Sequence, residues 1–440
     1  MSPCPIFISL YYIIAAFKQI RRQPALYRNK VQAAFFTVNG VNTMKKILSI
    51  LICTTLLHTP VWANTASEPN VQAASAPAPL SSIQLPEIKA VAYLVQDLQS
   101  GQILAQANAD QKIEPASLTK VMTAYLVFQA LENKKITPDQ TTKTSEHAWR
   151  QAGSRMFLEL GKPVSVQDLV HGLVVQLAND AAVSLAELLA GSEAEFVALM
   201  NAEAKRLGMS NTHFDNATGL SSQTHLTTVK DLAILSNALI RDFPQYYKIY
   251  STKSFTYNTI TQQNRNLLLF RDDNIDGLAA GYTNSGGYNL IASSKRDGRR
   301  VLSIVAGAAS AESRATESSK LLNYALLNFD TQPMFQAGKE VSTVKIFKGA
   351  QNSVAIGFRQ DAYVTVPRNQ QTNIKSFIDT NQPVLAPIKK GQVLGTFRLM
   401  HGEQVLAEQP VVALQDVGES GWFGRLVDSF VLWFQNLFAD

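Results

Sequence analysis

Apolar positions follow two different spacings in the middle of the chain. Residues 90–98 and 102–107 are short apolar stretches separated by turn residues, which predicts a β-hairpin. After Ser117, apolar residues recur at the three- to four-residue spacing of a helix, which predicts a helix over residues 117–132. Similar spacing predicts helices over residues 166–189 (with a break near 178–180), 193–207, 228–241 and 317–327. Residues 288–293 and 301–306 predict antiparallel strands, so this part should be an α/β domain with a sheet covered by helices.

The pattern changes after about residue 331. Short strand-like runs separated by turn residues replace the helical spacing and predict a small all-β domain. The predicted strands cover residues 341–347, 354–357, 363–366, 395–399 and 404–411. We expect this β domain, a small β-sandwich, to span residues 331–418.

An aromatic stripe ends the chain at residues 419–440. Aromatic and aliphatic side chains recur there at helical spacing, and few charged residues accompany them. Such a helix either packs into a core or lies in the plane of a membrane surface. Because it follows a complete β domain, the sequence favours an amphipathic membrane-anchor helix that binds the membrane surface.

The first 63 residues have the composition of a leader. Met44 and two lysines precede a short apolar run and a small-residue cleavage pattern, which predicts a signal peptide at residues 44–63. Residues 1–43 lie upstream of Met44, and we interpret them as a start assigned too early. A genuine apolar segment at residues 7–17 is the alternative. Residues 64–82 are rich in Ala, Pro and Ser and predict a linker.

Net charge excludes one class of partner. The formal charge is +6, but residues 1–63 contain seven basic residues and no acidic ones. The remaining chain has 33 basic and 34 acidic side chains, so it has no basic excess for nucleic-acid binding. Both cysteines, Cys4 and Cys53, also lie in the leader. A mature chain without cysteine suits an oxidising compartment.

One tetrad has the residues of a nucleophilic site. Ser117-Leu118-Thr119-Lys120 begins a predicted helix. A serine hydroxyl is a weak nucleophile unless a base accepts its proton, and residues three apart share a helix face, so Lys120 can reach Ser117. Taken alone the tetrad is a weak signal, because a helix cap followed by a surface lysine has the same pattern.

Its surroundings resemble those of a known family. Residues 115–124 are similar to the nucleophile segment of the low-molecular-weight penicillin-binding proteins, the D-alanyl-D-alanine carboxypeptidases. The resemblance continues in the same order to residue 438, through segments at residues 179–181, 211–214, 264–266, 276–278, 287–290 and 387–391. It implies a β-lactamase/transpeptidase-like domain, with an antiparallel sheet and helices, over residues 83–330. The small β domain and an amphipathic helix would follow.

The resemblance also implies a reaction. Ser117 would attack the carbonyl between the two terminal D-alanines of a peptidoglycan stem peptide, with Lys120 as base and Asn179 as the third catalytic residue. An acyl-enzyme would form, D-alanine would leave, and water would release the shortened peptide. β-Lactams would acylate the same serine as covalent inhibitors. No metal or other cofactor is implied, and the histidines of the mature chain show no ligand spacing.

Substrate-binding residues follow by position in the family. The oxyanion would lie between the backbone N–H groups of Ser117 and Tyr282. Arg314 would help to bind the terminal carboxylate. Gly281 and Thr283 complete the predicted substrate-binding set.

Two of the three family motifs are altered here. The second motif, Ser-x-Asn in the family, has Leu177 in place of serine. The third, Lys-Thr-Gly, begins with Ala279 and Ala280. The lost serine would act in general acid–base catalysis, typically worth about 10²–10⁴-fold. Without the positive charge of the lost lysine, we expect Lys120 to be protonated more of the time and to be a poorer base.

Three interpretations remain open from the sequence. The intact Ser117, Lys120 and Asn179 favour a carboxypeptidase with reduced activity. Leu177 and Ala279 favour a silent homologue that binds peptidoglycan or a protein partner at the membrane. A β-lactamase is less favoured, because the second domain and the aromatic tail are typical of carboxypeptidases. In each case we expect an exported protein, peripheral on the periplasmic face of the inner membrane.

Overall fold

The computed structural model describes residues 83–368, 374–401 and 404–436. The predicted leader, signal peptide and linker lie outside the described residues. The strands are β1 (Ala92–Asp97), β2 (Ile103–Ala107), β3 (Thr141–Lys143), β4 (Pro163–Ser165), β5 (Ser254–Tyr257), β6 (Ile260–Gln263), β7 (Ile275–Thr283), β8 (Gly287–Arg296), β9 (Arg299–Ala308), β10 (Phe329–Phe335), β11 (Ser342–Phe347), β12 (Ser353–Gly357), β13 (Ala362–Pro367), β14 (Ile374–Thr380), β15 (Val384–Leu385), β16 (Val393–His401) and β17 (Gln404–Ala413).

Helices alternate with these strands mainly in the first part of the described chain. The α-helices are α1 (Lys120–Glu132), α2 (Glu146–Trp149), α3 (Val166–His171), α4 (Asn179–Ala190), α5 (Glu193–Leu207), α6 (Val229–Asp242), α7 (Pro244–Tyr247), α8 (Ala311–Asn328) and α9 (Trp422–Asn436). A π-helical turn, Gly172–Gln176, separates α3 from α4. Short 3₁₀-helices occur at Ala116–Thr119, Lys248–Ser251 and Leu267–Phe270.

A five-stranded antiparallel sheet supports the first domain. Its strand order is β2-β1-β9-β8-β7, which leaves β7 at one edge. The central strands have long buried runs because helices pack on the sheet: α8 lies along β8 and β9, and α6 contacts β1 and β9. Helix α1 is buried along most of its length and contacts α4, α6 and β7. The edge strand β7 and the start of α1 are therefore neighbours.

Helix boundaries follow local capping chemistry. Ser192 accepts a hydrogen bond from the Glu195 N–H at the start of α5, and Gly208 ends that helix with a positive φ of 87°. Helix α8 begins at Ala311, six residues earlier than the apolar spacing predicts. Ser310 caps this longer helix by accepting a hydrogen bond from the Ser313 N–H. The cap stabilises a first turn of polar residues, which has no apolar spacing to reveal it.

The second part of the chain is all-β, as predicted. A six-stranded sheet has the order β14-β16-β17-β12-β11-β15, and β10 pairs with β13 in a separate two-stranded sheet. Phe335, Phe358 and Phe397 pack together at its centre, with ring centroids 5.2–5.6 Å apart. The predicted fold class, an α/β domain with an antiparallel sheet followed by a β domain and a C-terminal helix, is confirmed.

Buried hydrogen bonds join the two parts. The Gln102 amide donates to the Thr365 and Leu406 carbonyl oxygens at 3.1 and 2.6 Å. The Thr331 hydroxyl and Arg299 Nε both donate to the Asp97 carboxylate at 2.7 Å. Because these groups have little access to water, losing one of these hydrogen bonds would leave a buried polar group unsatisfied and would lower the stability of the fold.

Helix α9 exposes most of its aromatic side chains. Trp422, Phe430 and Trp433 are each more than half exposed. The Lys348 N–H of the β domain donates a hydrogen bond to the Asp428 carboxylate of this helix. In the described part of the chain, none of the helices combines the length and the apolar character needed to cross a bilayer.

Candidate active site

Ser117 lies in a tight turn ahead of α1. The turn Ala116–Thr119 is a 3₁₀-helix, so α1 begins at Lys120 and not at Ser117 as predicted. In a 3₁₀-helix residues three apart eclipse each other, which aligns Ser117 and Lys120 more directly than an α-helix does. Ala116 has a φ of 52°, a left-handed conformation that is uncommon for alanine and is found at functional turns.

Lys120 is in position to act as the base. Its Nζ lies 3.2 Å from Ser117 Oγ and 2.6 Å from the Thr218 carbonyl oxygen. Only 2% of the residue is exposed. Burial lowers the pKa of Lys120 to about 7, against the opposing effect of the Asp180 charge. Burial alone therefore makes a neutral amine accessible near pH 7, even though the third-motif lysine is absent.

A loop on one side of the site holds Lys120 in place. Gly219 has a φ of 85°, and a Cβ there would lie 1.7 Å from the Ala116 carbonyl oxygen, so only glycine fits. The Asn216 side chain accepts hydrogen bonds from the backbone N–H groups of Thr218 and Gly219, at 3.2 and 2.7 Å. The loop thereby presents the Thr218 carbonyl to Lys120. The sequence alone does not point to Thr218, because a backbone acceptor has no side-chain signature.

Asn179 begins α4 on another side of the site. Its Nδ2 donates to the Ala152 carbonyl oxygen at 2.6 Å, and its buried Oδ1 has no hydrogen-bond partner within the described residues. Leu177, which replaces the motif serine, is buried and has a φ of 54°. The neighbouring Asp180 carboxylate accepts from the Met156 and Leu158 N–H groups at 3.0 and 3.1 Å. These bonds hold residues 156–158 beside the start of α4.

Strand β7 passes close to the nucleophile. A Cβ on Gly281 would lie 2.9 Å from Ala116 Cβ and 3.1 Å from Ser117 N, so glycine allows this approach. In the part of the chain that the structure describes, no strand pairs with the outer side of β7, so backbone groups on that side are available to a ligand. Tyr282, half exposed, follows Gly281, and its ring packs against the Tyr288 ring with centroids 4.3 Å apart.

Arg314 supports this strand from α8. Its Nη1 donates to the Gly281 carbonyl oxygen at 2.7 Å and its guanidinium lies 5.5 Å from the centre of the Tyr288 ring. Burial lowers the pKa of Arg314 to about 10, which leaves it cationic at neutral pH. The Thr283 hydroxyl accepts from the Gly286 N–H at 2.8 Å and bonds to the Glu114 side chain.

A cleft of about 790 Å³ brings the predicted residues together. Its lining includes the predicted site residues Ser117, Asn179, Gly281, Tyr282, Thr283 and Arg314. Lys120 is buried and does not line the cleft, but its hydrogen bond to Ser117 connects it to the lining. The lining also includes residues that the sequence did not single out: Ser154, Leu220, Ser221, Arg265 and Ser285. In the described residues no group of three or more His, Cys, Asp or Glu is placed to hold a metal.

His225 is a structural residue near the site. Its Nδ1 accepts from the Asp215 N–H at 3.0 Å, so Nε2 carries the proton and donates to the Thr119 hydroxyl at 2.8 Å. Burial lowers the pKa of His225 to about 4, which keeps the ring neutral.

Comparison with known proteins gives matches over both parts of the chain. The profile of the D-alanyl-D-alanine carboxypeptidase family matches residues 77–310, and that of the penicillin-binding protein 5 C-terminal domain matches residues 329–419. D-alanyl-D-alanine carboxypeptidase DacC of Escherichia coli is 38% identical over 82% of this chain and 92% of its own length. DacD of the same organism is 40% identical over 79% of this chain and 92% of its own length.

Solved structures show the same similarity. Penicillin-binding protein 5 of Haemophilus influenzae is 39% identical and superimposes with a TM-score of 0.72, covering 77% of this chain and 100% of that chain. Penicillin-binding protein D2 of Listeria monocytogenes, in cefotaxime-bound and ampicillin-bound forms, is 34% identical with a TM-score of 0.51 and covers 55% of this chain and 99% of that chain.

Proposed function

Because this chain belongs to the D-alanyl-D-alanine carboxypeptidase family of low-molecular-weight penicillin-binding proteins, we propose that Ser117 is the nucleophile with which it removes the terminal D-alanine from peptidoglycan stem peptides. The family, the serine carboxypeptidase function and the D-alanyl-D-alanine substrate rest on the matches over both domains. The assignment of roles to individual side chains rests on one observation: a buried lysine amine lies 3.2 Å from a serine hydroxyl in a cleft.

Acylation begins with a proton transfer. Neutral Lys120 accepts the proton of the Ser117 hydroxyl as Oγ bonds to the carbonyl carbon between the two D-alanines. The carbon–nitrogen bond then breaks, and the leaving D-alanine amine takes the proton that Lys120 accepted, so the acyl-enzyme forms with Lys120 neutral again. Water attacks this ester, with Lys120 again as base, and releases the shortened peptide and Ser117.

The cleft supplies electrostatic stabilisation. The oxyanion lies between the N–H groups of Ser117 and Tyr282, an arrangement supported by the close approach of Gly281 to the nucleophile turn. Arg314 is a buried cation that lines the cleft, and it binds the terminal carboxylate of the substrate. The Asn179 amide oxygen, which has no hydrogen-bond partner among the described residues, accepts from a substrate N–H.

Reduced activity is part of the proposal. Leu177 is buried and apolar where the family has a hydroxyl, and Ala279 and Ala280 contribute neither an ammonium nor a hydroxyl. Proton delivery to the leaving amine therefore lacks its usual donor. These same residues favour the alternative of a silent homologue that binds stem peptides without turnover, whereas the lowered pKa of Lys120 supports the active enzyme.

Mass spectrometry of the intact protein tests the nucleophile. We expect one penicillin equivalent to add to the mature chain, because a β-lactam resembles the terminal dipeptide, and peptide mapping should place the adduct on Ser117. D-Alanine release from a stem pentapeptide should then be measurable. No adduct after long exposure to high penicillin would contradict the proposed nucleophile, and an adduct without D-alanine release would favour the silent homologue.

We also propose that the protein is exported and attaches to the periplasmic face of the inner membrane through α9. The exposed aromatic stripe of Trp422, Phe430 and Trp433 supports this, since an exposed apolar face of this kind is typical of helices that lie in the membrane surface. The cysteine-free mature sequence and the predicted signal peptide agree with export.

Vesicle flotation tests the membrane proposal. Replacing Phe430 and Trp433 with serine should lower the fraction of mature protein bound to phosphatidylethanolamine–phosphatidylglycerol vesicles by at least about tenfold, because burying each ring contributes roughly 1.5 kcal/mol or more. Trp149→Ser is the control, since Trp149 is also an exposed aromatic residue but lies outside α9. Equal binding of the double variant and the wild-type protein would contradict this role for α9.

A further inference from the structure

We propose that Glu114 is a positioning residue for acylation, which holds the two rims of the active-site cleft at a fixed separation around Ser117. The proposal rests on the proposed function, because it assigns Glu114 a role in the same reaction. We define the loop rim as residues 218–222 and the strand rim as the turn at residues 284–286 between β7 and β8. Both rims contribute lining residues to the cleft.

One carboxylate bonds to both rims. The Ser221 hydroxyl, on the loop rim, donates to Glu114 Oε2 at 2.8 Å. The Ser285 hydroxyl, on the strand rim, donates to Glu114 Oε1 at 2.6 Å. Because Ser221 and Ser285 each use a different oxygen, a single side chain bridges the mouth of the cleft. The hydrogen bond from Ser285, above all, lowers the pKa of Glu114, so the ionised form that accepts both bonds persists at neutral pH.

The backbone of Glu114 is itself fixed. Its carbonyl oxygen accepts from Asn289 Nδ2 on β8 at 2.9 Å. Glu114 lies three residues before Ser117, and Pro115 and the left-handed Ala116 leave little freedom between them. The turn also packs directly on this side chain, since a Cβ on Gly286 would lie 3.2 Å from Glu114 Cβ. The position of the Glu114 carboxylate is therefore fixed relative to Ser117.

Each rim continues directly into a group that the reaction uses. On the loop rim, the Thr218 carbonyl holds Lys120 Nζ at 2.6 Å, and Gly219 packs against the turn of the nucleophile. On the strand rim, Thr283 and Tyr282 lead back along β7 to the proposed oxyanion site. Movement of either rim would shift the base or the oxyanion donors relative to Ser117. Misplacement of about 1 Å can cost about 10²-fold in rate.

The first-order rate of acylation at saturating penicillin distinguishes positioning from folding. Glu114→Ala should reduce this rate constant by about ten- to a hundredfold, with penicillin affinity changed less than about threefold and a final adduct that still reaches one equivalent. A purely structural role would lower the final stoichiometry or the melting temperature and leave the rate of the folded fraction unchanged.

Conservative and matched variants sharpen the test. Glu114→Gln should keep most of the rate, because its amide oxygen can accept from one serine and its amide nitrogen can donate to the other. The double variant Ser221→Ala with Ser285→Ala removes the bond to the loop rim and leaves only the Thr283 bond on the strand side, so it should reproduce most of the loss. Adding Glu114→Ala to it should cost little more. Glu146→Ala, which removes an exposed glutamate outside the cleft, should acylate at the wild-type rate.

The possible results separate this proposal from the proposed function. Wild-type rates for both Glu114→Ala and the serine double variant, with Ser117 acylated in each, would overturn the role of Glu114 alone. If Glu114→Ala does not fold, the double variant decides, because both hydroxyls are on exposed residues. An absence of acylation in the wild-type protein would overturn the proposed function together with this role.

Discussion

Replacing Lys120 with methionine should lower the rate at which penicillin acylates Ser117 by about 10³-fold. The thioether fills a similar volume but cannot accept the hydroxyl proton, and general-base catalysis typically contributes about 10²–10⁴-fold. The rate constant can be followed by intact-protein mass spectrometry, with Ser117→Ala as the control that forms no adduct. Acylation of Lys120→Met at near the wild-type rate would show that another group activates Ser117.

The pH dependence of the wild-type protein tests the same assignment. Only the neutral amine is a base, and burial lowers the pKa of Lys120 to about 7. The acylation rate should therefore rise with pH and reach half of its maximum near pH 7, and Lys120→Met should lack this step. A wild-type rate that is constant from pH 5.5 to 8.5 would contradict Lys120 as the titrating base.

Replacing Lys120 with methionine should also stabilise the fold. Between a folded pKa of about 7 and an unfolded value of 10.5, the unfolded chain binds more protons at Lys120, so wild-type stability rises with pH over that interval. Lys120→Met removes this penalty. Its free energy of unfolding in urea should exceed that of the wild-type protein by a few kcal/mol at pH 7, and the difference should shrink towards pH 10.5.

Restoring the altered motifs should increase turnover of a stem pentapeptide by about 10²-fold. Leu177→Ser returns a hydroxyl that can relay a proton, and Ala279→Lys returns a cation near the base. The like charge should lower the pKa of Lys120 below about 7, which moves the acidic limb of the kcat profile to lower pH. D-Alanine release by the double variant and by each single variant measures these effects.

A control separates the motif from a general change in polarity. Leu160→Ser replaces an exposed leucine that does not line the cleft and should leave turnover unchanged. Ala279 is buried, so thermal unfolding must show that a lysine is accommodated there. Leu177→Ser adds no volume and remains informative on its own. A folded double variant with unchanged kcat would mean that the missing side chains do not limit the reaction.

The sequence predicted elements best where periodicity was uninterrupted. Helix α5 has the predicted bounds, and α6 differs from the prediction by one residue at each end. Strand β7 was not found from its pattern, because its centre is Gly, Leu and Ala and resembles neither an alternating strand nor a β-branched run.

The candidate site was predictable to the extent that it depends on side chains of recognised motifs. The nucleophile, the lysine and the asparagine could be read from the sequence and lie together around one cleft, although their roles stay predictions. The Thr218 carbonyl could not be found, since its role depends on where the chain folds back. The pKa of Lys120 was also out of reach, because burial and not a neighbouring charge lowers it most.

Leu177 has a backbone conformation that a leucine does not prefer. A left-handed φ costs an ordinary residue roughly 1 kcal/mol, and it persists only where the surroundings determine it. The π-helical turn before it and the start of α4 after it provide those surroundings. The neighbouring elements therefore set the backbone path at residue 177, not the leucine side chain. Because the neighbouring elements hold this conformation, placing a serine at position 177 would exchange one side chain and require no rebuilt loop.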